Sequence, residues 1–121
     1  MKSVCMESVN CLLIPLSQLQ DGKPQEVSAS IAGNEASLIV VGHASRFRVY
    51  LNQCPHQGRR LDYAPGQFLV KSGNIICAAH GATFKLDSGQ CVQGPCRGES
   101  LLNLRAEVID GQLQVDVSDL A

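Results

Sequence analysis

The chain has no tryptophan, and aromatic residues make up only 4 % of its 121 residues. A normal apolar share of 45 % must therefore be met mainly by leucine, valine, isoleucine and alanine. Charge of one sign is also lacking. With a net charge of −1, global electrostatics favour neither nucleic acid nor an anionic membrane as a partner. Long apolar runs are absent. The stretch Met1 to Leu19 is broken by Glu7, Asn10 and Pro15, too polar for a signal peptide and too short for a membrane span. A cytoplasmic location is the expectation. No repeat, low-complexity tract or linker marks a second domain, and residues 1–121 suit one domain with a single core. Histidine is scarce too, with three in all.

What is present is a series of short apolar runs with strong turn signals between them. Ser37 to Val41 and Phe47 to Leu51 flank Gly42-His43-Ala44-Ser45. Gln67 to Lys71 and Asn74 to Ala78 flank Ser72-Gly73. Thr83 to Leu86 and Gln90 to Val92 flank Asp87-Ser88-Gly89, and Leu101 to Ile109 and Gln112 to Val117 flank Asp110-Gly111. Asp-Gly between alternating runs favours a hairpin because both central residues tolerate positive φ. A short helical turn is expected within Ile14 to Gln20. The pattern predicts an all-β domain of about eight or nine short strands, in which residues 52 to 98 interrupt a flanking β framework.

The chemistry lies in that interruption. Cys54-Pro55-His56 and Cys77-Ala78-Ala79-His80-Gly81 form a C-x-H…C-x-x-H pattern, each half offering one soft thiolate and one borderline imidazole. Two sulfurs can hold one metal and two nitrogens another, the ligand division of a mixed-ligand [2Fe–2S] centre. Both pairs fall between strands, where loops can reach an ion without breaking ladder bonds. Pro55 stiffens the first loop, and Gly58 and Gly81 allow turns. Mononuclear zinc also accepts two cysteines and two histidines. Structural zinc sites more often draw each ligand type from one element, so zinc is the lesser alternative. Six cysteines without a signal peptide argue for metal rather than a disulfide scaffold. The cysteines outside the ligand pairs are expected as free thiols, with Cys91–Cys96 the one pair close enough to question. Cys5 and Cys11 carry no partner signal.

Cys54-Pro55-His56-Gln57-Gly58 with Leu61-Asp62, then Cys77-Ala78-Ala79-His80-Gly81-Ala82-Thr83-Phe84, Asp87-Ser88-Gly89 and Gly94-Pro95, resemble the Rieske iron–sulfur domain. The resemblance implies an antiparallel β-sandwich or barrel framework with an inserted cluster-binding subdomain at about residues 52–98. It implies that Cys54 and Cys77 ligate one iron, and His56 and His80 the other. High-potential members place a serine directly after the second His-Gly, a tyrosine two residues later, and a disulfide between the loops. Here stand Ala82, Phe84 and no loop cysteine. That departure matches the ferredoxin-like branch and predicts a potential near about −150 mV. The outer imidazoles imply a potential that falls as pH rises through their pKa values.

The resemblance therefore implies an electron carrier with a [2Fe–2S] cluster, not an enzyme, taking electrons from a reductase and passing them to an oxygenase or other redox enzyme. A non-catalytic accessory or redox-sensing subunit is the alternative. An oxygenase would need a further two-histidine, one-carboxylate iron site. Only His43 is left for that, most simply a surface residue. Arg59, Arg60 and Arg97 could ring the cluster tip and steer an acidic partner; ordinary solvated arginines are the preferred account. Cys96 is expected as a buried small hydrophobe, the alternative being a thiol near the cluster that senses oxidation or pairs with Cys91.

Overall fold

Asp110 and Gly111 turn with φ of 53° and 75°, and Ser72 and Gly73 with 52° and 77°, the paired positive angles of tight hairpins. They join strands in a computed structural model that describes residues 11–20, 22–31, 33–43, 46–55, 59–77 and 81–120. Eleven strands lie among them: β1 Cys11–Pro15, β2 Gln25–Ile31, β3 Asn34–His43, β4 Arg46–Leu51, β5 Leu69–Lys71, β6 Asn74–Ile76, β7 Thr83–Lys85, β8 Cys91–Gln93, β9 Asn103–Leu104, β10 Ala106–Ile109 and β11 Gln112–Asp116. All the pairings are antiparallel, in three sheets ordered β1-β11-β10, β2-β3-β4-β9 and β5-β6-β7-β8. The all-β expectation holds. The helical turn is a 3₁₀ turn at Leu16–Gln18.

The middle sheet is buried on both faces, which explains the unbroken apolar run in β3. Leu38, Val40 and Val49 join Ile14, Leu104, Leu113 and Val115 in one core, under the β1-β11-β10 sheet. Ile39 and Tyr50, directly opposite each other in the β3–β4 register, face the other way into a second core with Ile75, Phe84 and Leu101. A strand buried on one side alternates; one buried on both does not. Gly42 pairs with Phe47 across β3–β4, and a side chain at 42 would run into the Phe47 ring.

Tyr50 ties the small sheet to the framework. Its hydroxyl donates to the Leu86 carbonyl at 2.8 Å, and burial pushes its pKa up to about 12. Tyr50→Phe should therefore lower stability by about 1 kcal/mol, the net worth of one hydrogen bond. The check is a lower urea midpoint with an unchanged slope. Because the folded pKa is raised, this stabilisation is complete below pH 10.0 and is lost as pH rises towards 12. Tyr50→Phe should remove that alkaline loss.

Three expectations are corrected. β1 and β2 carry no recognised strand signal, yet both pair along their full lengths. The run Leu101 to Ile109 divides after Leu104. β9 pairs with β4, and β10 with β11, so the chain changes sheets there. Cys11, expected as a free thiol, is disulfide-bonded; Cys5 lies outside the described residues. Redox compartment governs what isolated thiols do, but not which sulfurs a fold brings within reach.

Candidate metal centre

The two ligand loops are closed in the same way. The first leaves β4 and the second leaves β6. In each, the cysteine N–H donates to the carbonyl five residues on, Cys54 to Arg59 and Cys77 to Ala82, both at 2.7 Å. Each loop is thereby drawn into a short ring with its cysteine at the entrance. Gly81 N–H also donates to the Cys77 carbonyl at 2.9 Å, from a residue at φ 72°. Cys54 and Cys77 are both buried, and both belong to the second core with Leu61, Ala82 and Phe84. His56 and His80 lie outside the described residues, as do Gln57, Gly58, Ala78 and Ala79.

A third loop covers the other two. Gly94 turns at φ +100°, so close to the second ligand loop that a Cβ there would stand 2.8 Å from the Ala82 Cα. Pro95 follows, and Cys96 is wholly buried. Its Sγ lies 3.2 Å from Cys54 Sγ. Cys91 is a free thiol whose Sγ donates to the Gln93 carbonyl at 3.3 Å. The questioned Cys91–Cys96 pairing is absent, and Cys96 faces the first ligand loop instead.

The polar surroundings of the first loop give one of its exposed arginines fixed partners. Arg60, half-exposed, is paired as well as solvated: it binds Asp62 through Nε at 2.9 Å and through a terminal nitrogen at 2.6 Å, and Glu26 at 2.9 Å. Asp62 also accepts from Asn52 at 3.3 Å and from Gly66 N–H at 3.1 Å. The Arg60 bonds hold its carboxyl at about 2. Ser37 and Ser28 hydroxyls and Arg60 likewise lower the Glu26 pKa. Buried Asn52 completes the lock by accepting from Leu61 N–H at 2.9 Å and donating to Ser37 at 3.1 Å. Both ends of the first loop are thus fastened to β2 and β3. Arg59 and Arg97 remain exposed. Sequence reasoning missed this lock. Its only local trace is the Arg60-x-Asp62 spacing.

Residues 10–114 match the model of the Rieske [2Fe-2S] domain. The chain belongs to this family. The Rieske cofactor is a [2Fe–2S] cluster, which sets the zinc alternative aside. The fold is similar to that of the ferredoxin of carbazole 1,9a-dioxygenase from Nocardioides aromaticivorans IC177, at 24% identity and a TM-score of 0.65, covering 88% of this chain and 96% of that one. It is also similar to a chain in a complex of reduced oxygenase and oxidized ferredoxin of carbazole 1,9a-dioxygenase, at 24% identity and TM-score 0.68, covering 88% and 93%. The terminal oxygenase from N. aromaticivorans IC177 matches at 21% identity and TM-score 0.63, over 85% of this chain but 29% of that one. No curated protein matches the chain. Two buried sulfurs on matching loops suit iron, a metal that takes thiolate readily. When bound, the cluster supplies one-electron chemistry. Among the described residues no helix is long and apolar enough to cross a membrane.

Proposed function

We propose that this chain is a one-electron carrier that passes electrons from a reductase to an oxygenase or another redox enzyme. Cys54 and Cys77 hold one iron of the [2Fe–2S] cluster, and His56 and His80 hold the other. Residues 1–121 then act as one Rieske domain, with residues 52–98 as its cluster-binding part. The observation that carries this is the pair of identically closed loops, each delivering a buried cysteine to one core. The likeness in fold to ferredoxins, one of them in a complex with an oxygenase, fits a carrier. The three histidines of the chain leave only His43 beyond the two ligands, too few for an oxygenase iron site.

Burial keeps water from Cys54 and Cys77, and a main-chain hydrogen bond closes the loop at each. Ala82 and Phe84 are buried and bring no hydroxyl to the sulfurs, which favours a potential near the low end of the Rieske range, about −150 mV. Dithionite reduction of anaerobically purified protein should give a rhombic EPR signal integrating to one spin per two irons. The reduced protein should then be reoxidised by a Rieske oxygenase in stopped-flow mixing. A colourless protein with stoichiometric zinc would sink the proposal. A midpoint above about 0 mV would overturn its low-potential part.

A further inference from the structure

Cys96 Sγ sits 3.2 Å from Cys54 Sγ, with both residues buried in the same core. The contact is built into the loop rather than left to a mobile side chain. Gly94 seats the loop against Ala82, Arg97 N–H donates to the Gly94 carbonyl at 3.2 Å, and Glu99 N–H donates to the Cys96 carbonyl at 2.8 Å. In the bare pair either sulfur could donate. A cysteine sulfur bound to iron carries no proton and can only accept. The donor must then be Cys96, and the acceptor is charged, which strengthens even a weak S–H donor.

We infer that the Cys96 thiol donates a hydrogen bond to the Cys54 ligand sulfur and so raises the cluster's reduction potential. The physical reason is that a donor aimed at a ligand sulfur stabilises the added electron of the reduced state. Cys96 is a positioning residue acting through Cys54. The site has no serine or tyrosine hydroxyl at Ala82 and Phe84, so this thiol is a sulfur-directed donor contributed by the covering loop. The inference rests on Cys54 being a cluster ligand.

The test is the midpoint potential of Cys96→Ala, Cys96→Val and Cys96→Ser in the cluster-loaded protein, with ENDOR of the reduced state in D2O. Cys96→Ala and Cys96→Val should both lower the reduction equilibrium constant on the order of fivefold, the worth of about one net hydrogen bond. Each should also lose one exchangeable proton coupling. Cys96→Ser keeps a donor and should hold the potential at or above the parent value. Equal potentials in all four proteins, or a Cys96→Ser shift as large as that of Cys96→Ala, would overturn the inference. A parent protein without a cluster would instead overturn the reading of Cys54 as a ligand, and the inference with it.

Discussion

Gly94→Val is expected to unseat the loop that covers the cluster site and to strip the protein of iron. Two costs coincide at this position. A non-glycine residue at φ +100° is strained by about 1–3 kcal/mol. The new Cβ would also stand 2.8 Å from Ala82 Cα and 3.2 Å from Ala82 N. Those are backbone atoms that cannot swing aside, so overpacking adds about 1–3 kcal/mol more. Against the ~5–15 kcal/mol that holds a domain of this kind together, the sum is a large share. The damage is directed as well as large. The Ala82 carbonyl accepts the Cys77 N–H that closes the second ligand loop, so relief of the clash opens the ring around a proposed iron ligand. Gly98 provides the control. It has φ +95° but nothing within 4 Å of its Cβ position, so Gly98→Ala bears strain without collision. Iron per protein and the urea midpoint should fall steeply in Gly94→Val and modestly in Gly98→Ala. Equal losses in the two variants would show that backbone strain, not contact with the ligand loop, sets the effect.

How far the sequence discloses the molecule follows from the range of each interaction. Hairpins held by local turn chemistry, at Ser72-Gly73 and Asp110-Gly111, are legible because the positive φ requirement sits in the dipeptide itself. The cysteine–histidine pairs are legible for the same reason, since ligand types and spacing are local. β2 is not, because its sequence Gln-Glu-Val-Ser-Ala-Ser-Ile buries only Ile31 fully and is held by main-chain pairing to β3. Nor is the sheet change after Leu104: alternation continues through it, while the partner changes from Val49 to Val115. The site's support is least legible of all. The Cys54–Cys96 and Arg60–Glu26 contacts span 42 and 34 residues, and nothing in the local pattern announces either.

Asp62→Ala is the second large effect expected, and its pH dependence identifies the cause. The Asp62 side chain is wholly buried, and it receives four hydrogen bonds from Arg60, Asn52 and Gly66. Its removal leaves buried Asn52 without one acceptor and frees Arg60 to pair with Glu26 alone among the described residues. Breaking a buried pair costs about 3–5 kcal/mol, but the Arg60 side chain is 48% exposed and water can solvate it. A loss of about 2–4 kcal/mol follows, felt first in the first ligand loop, because Asn52 and Asp62 fasten its two ends. Asp62→Asn separates charge from shape. The folded pKa of Asp62 is depressed from 3.8 to about 2, so its charge stabilises the fold above the higher value, and that contribution is lost as pH falls through the lower. After allowance for the half-exposed guanidinium, the contribution is roughly 1–2 kcal/mol. The stability gap between the parent protein and Asp62→Asn should therefore be constant from neutral pH down to about pH 5 and shrink steeply as pH falls through about 2. Chemical denaturation across that range measures it directly. A gap that persists undiminished at about pH 2 would place the effect in packing, leaving the ion pair no part in holding the first loop.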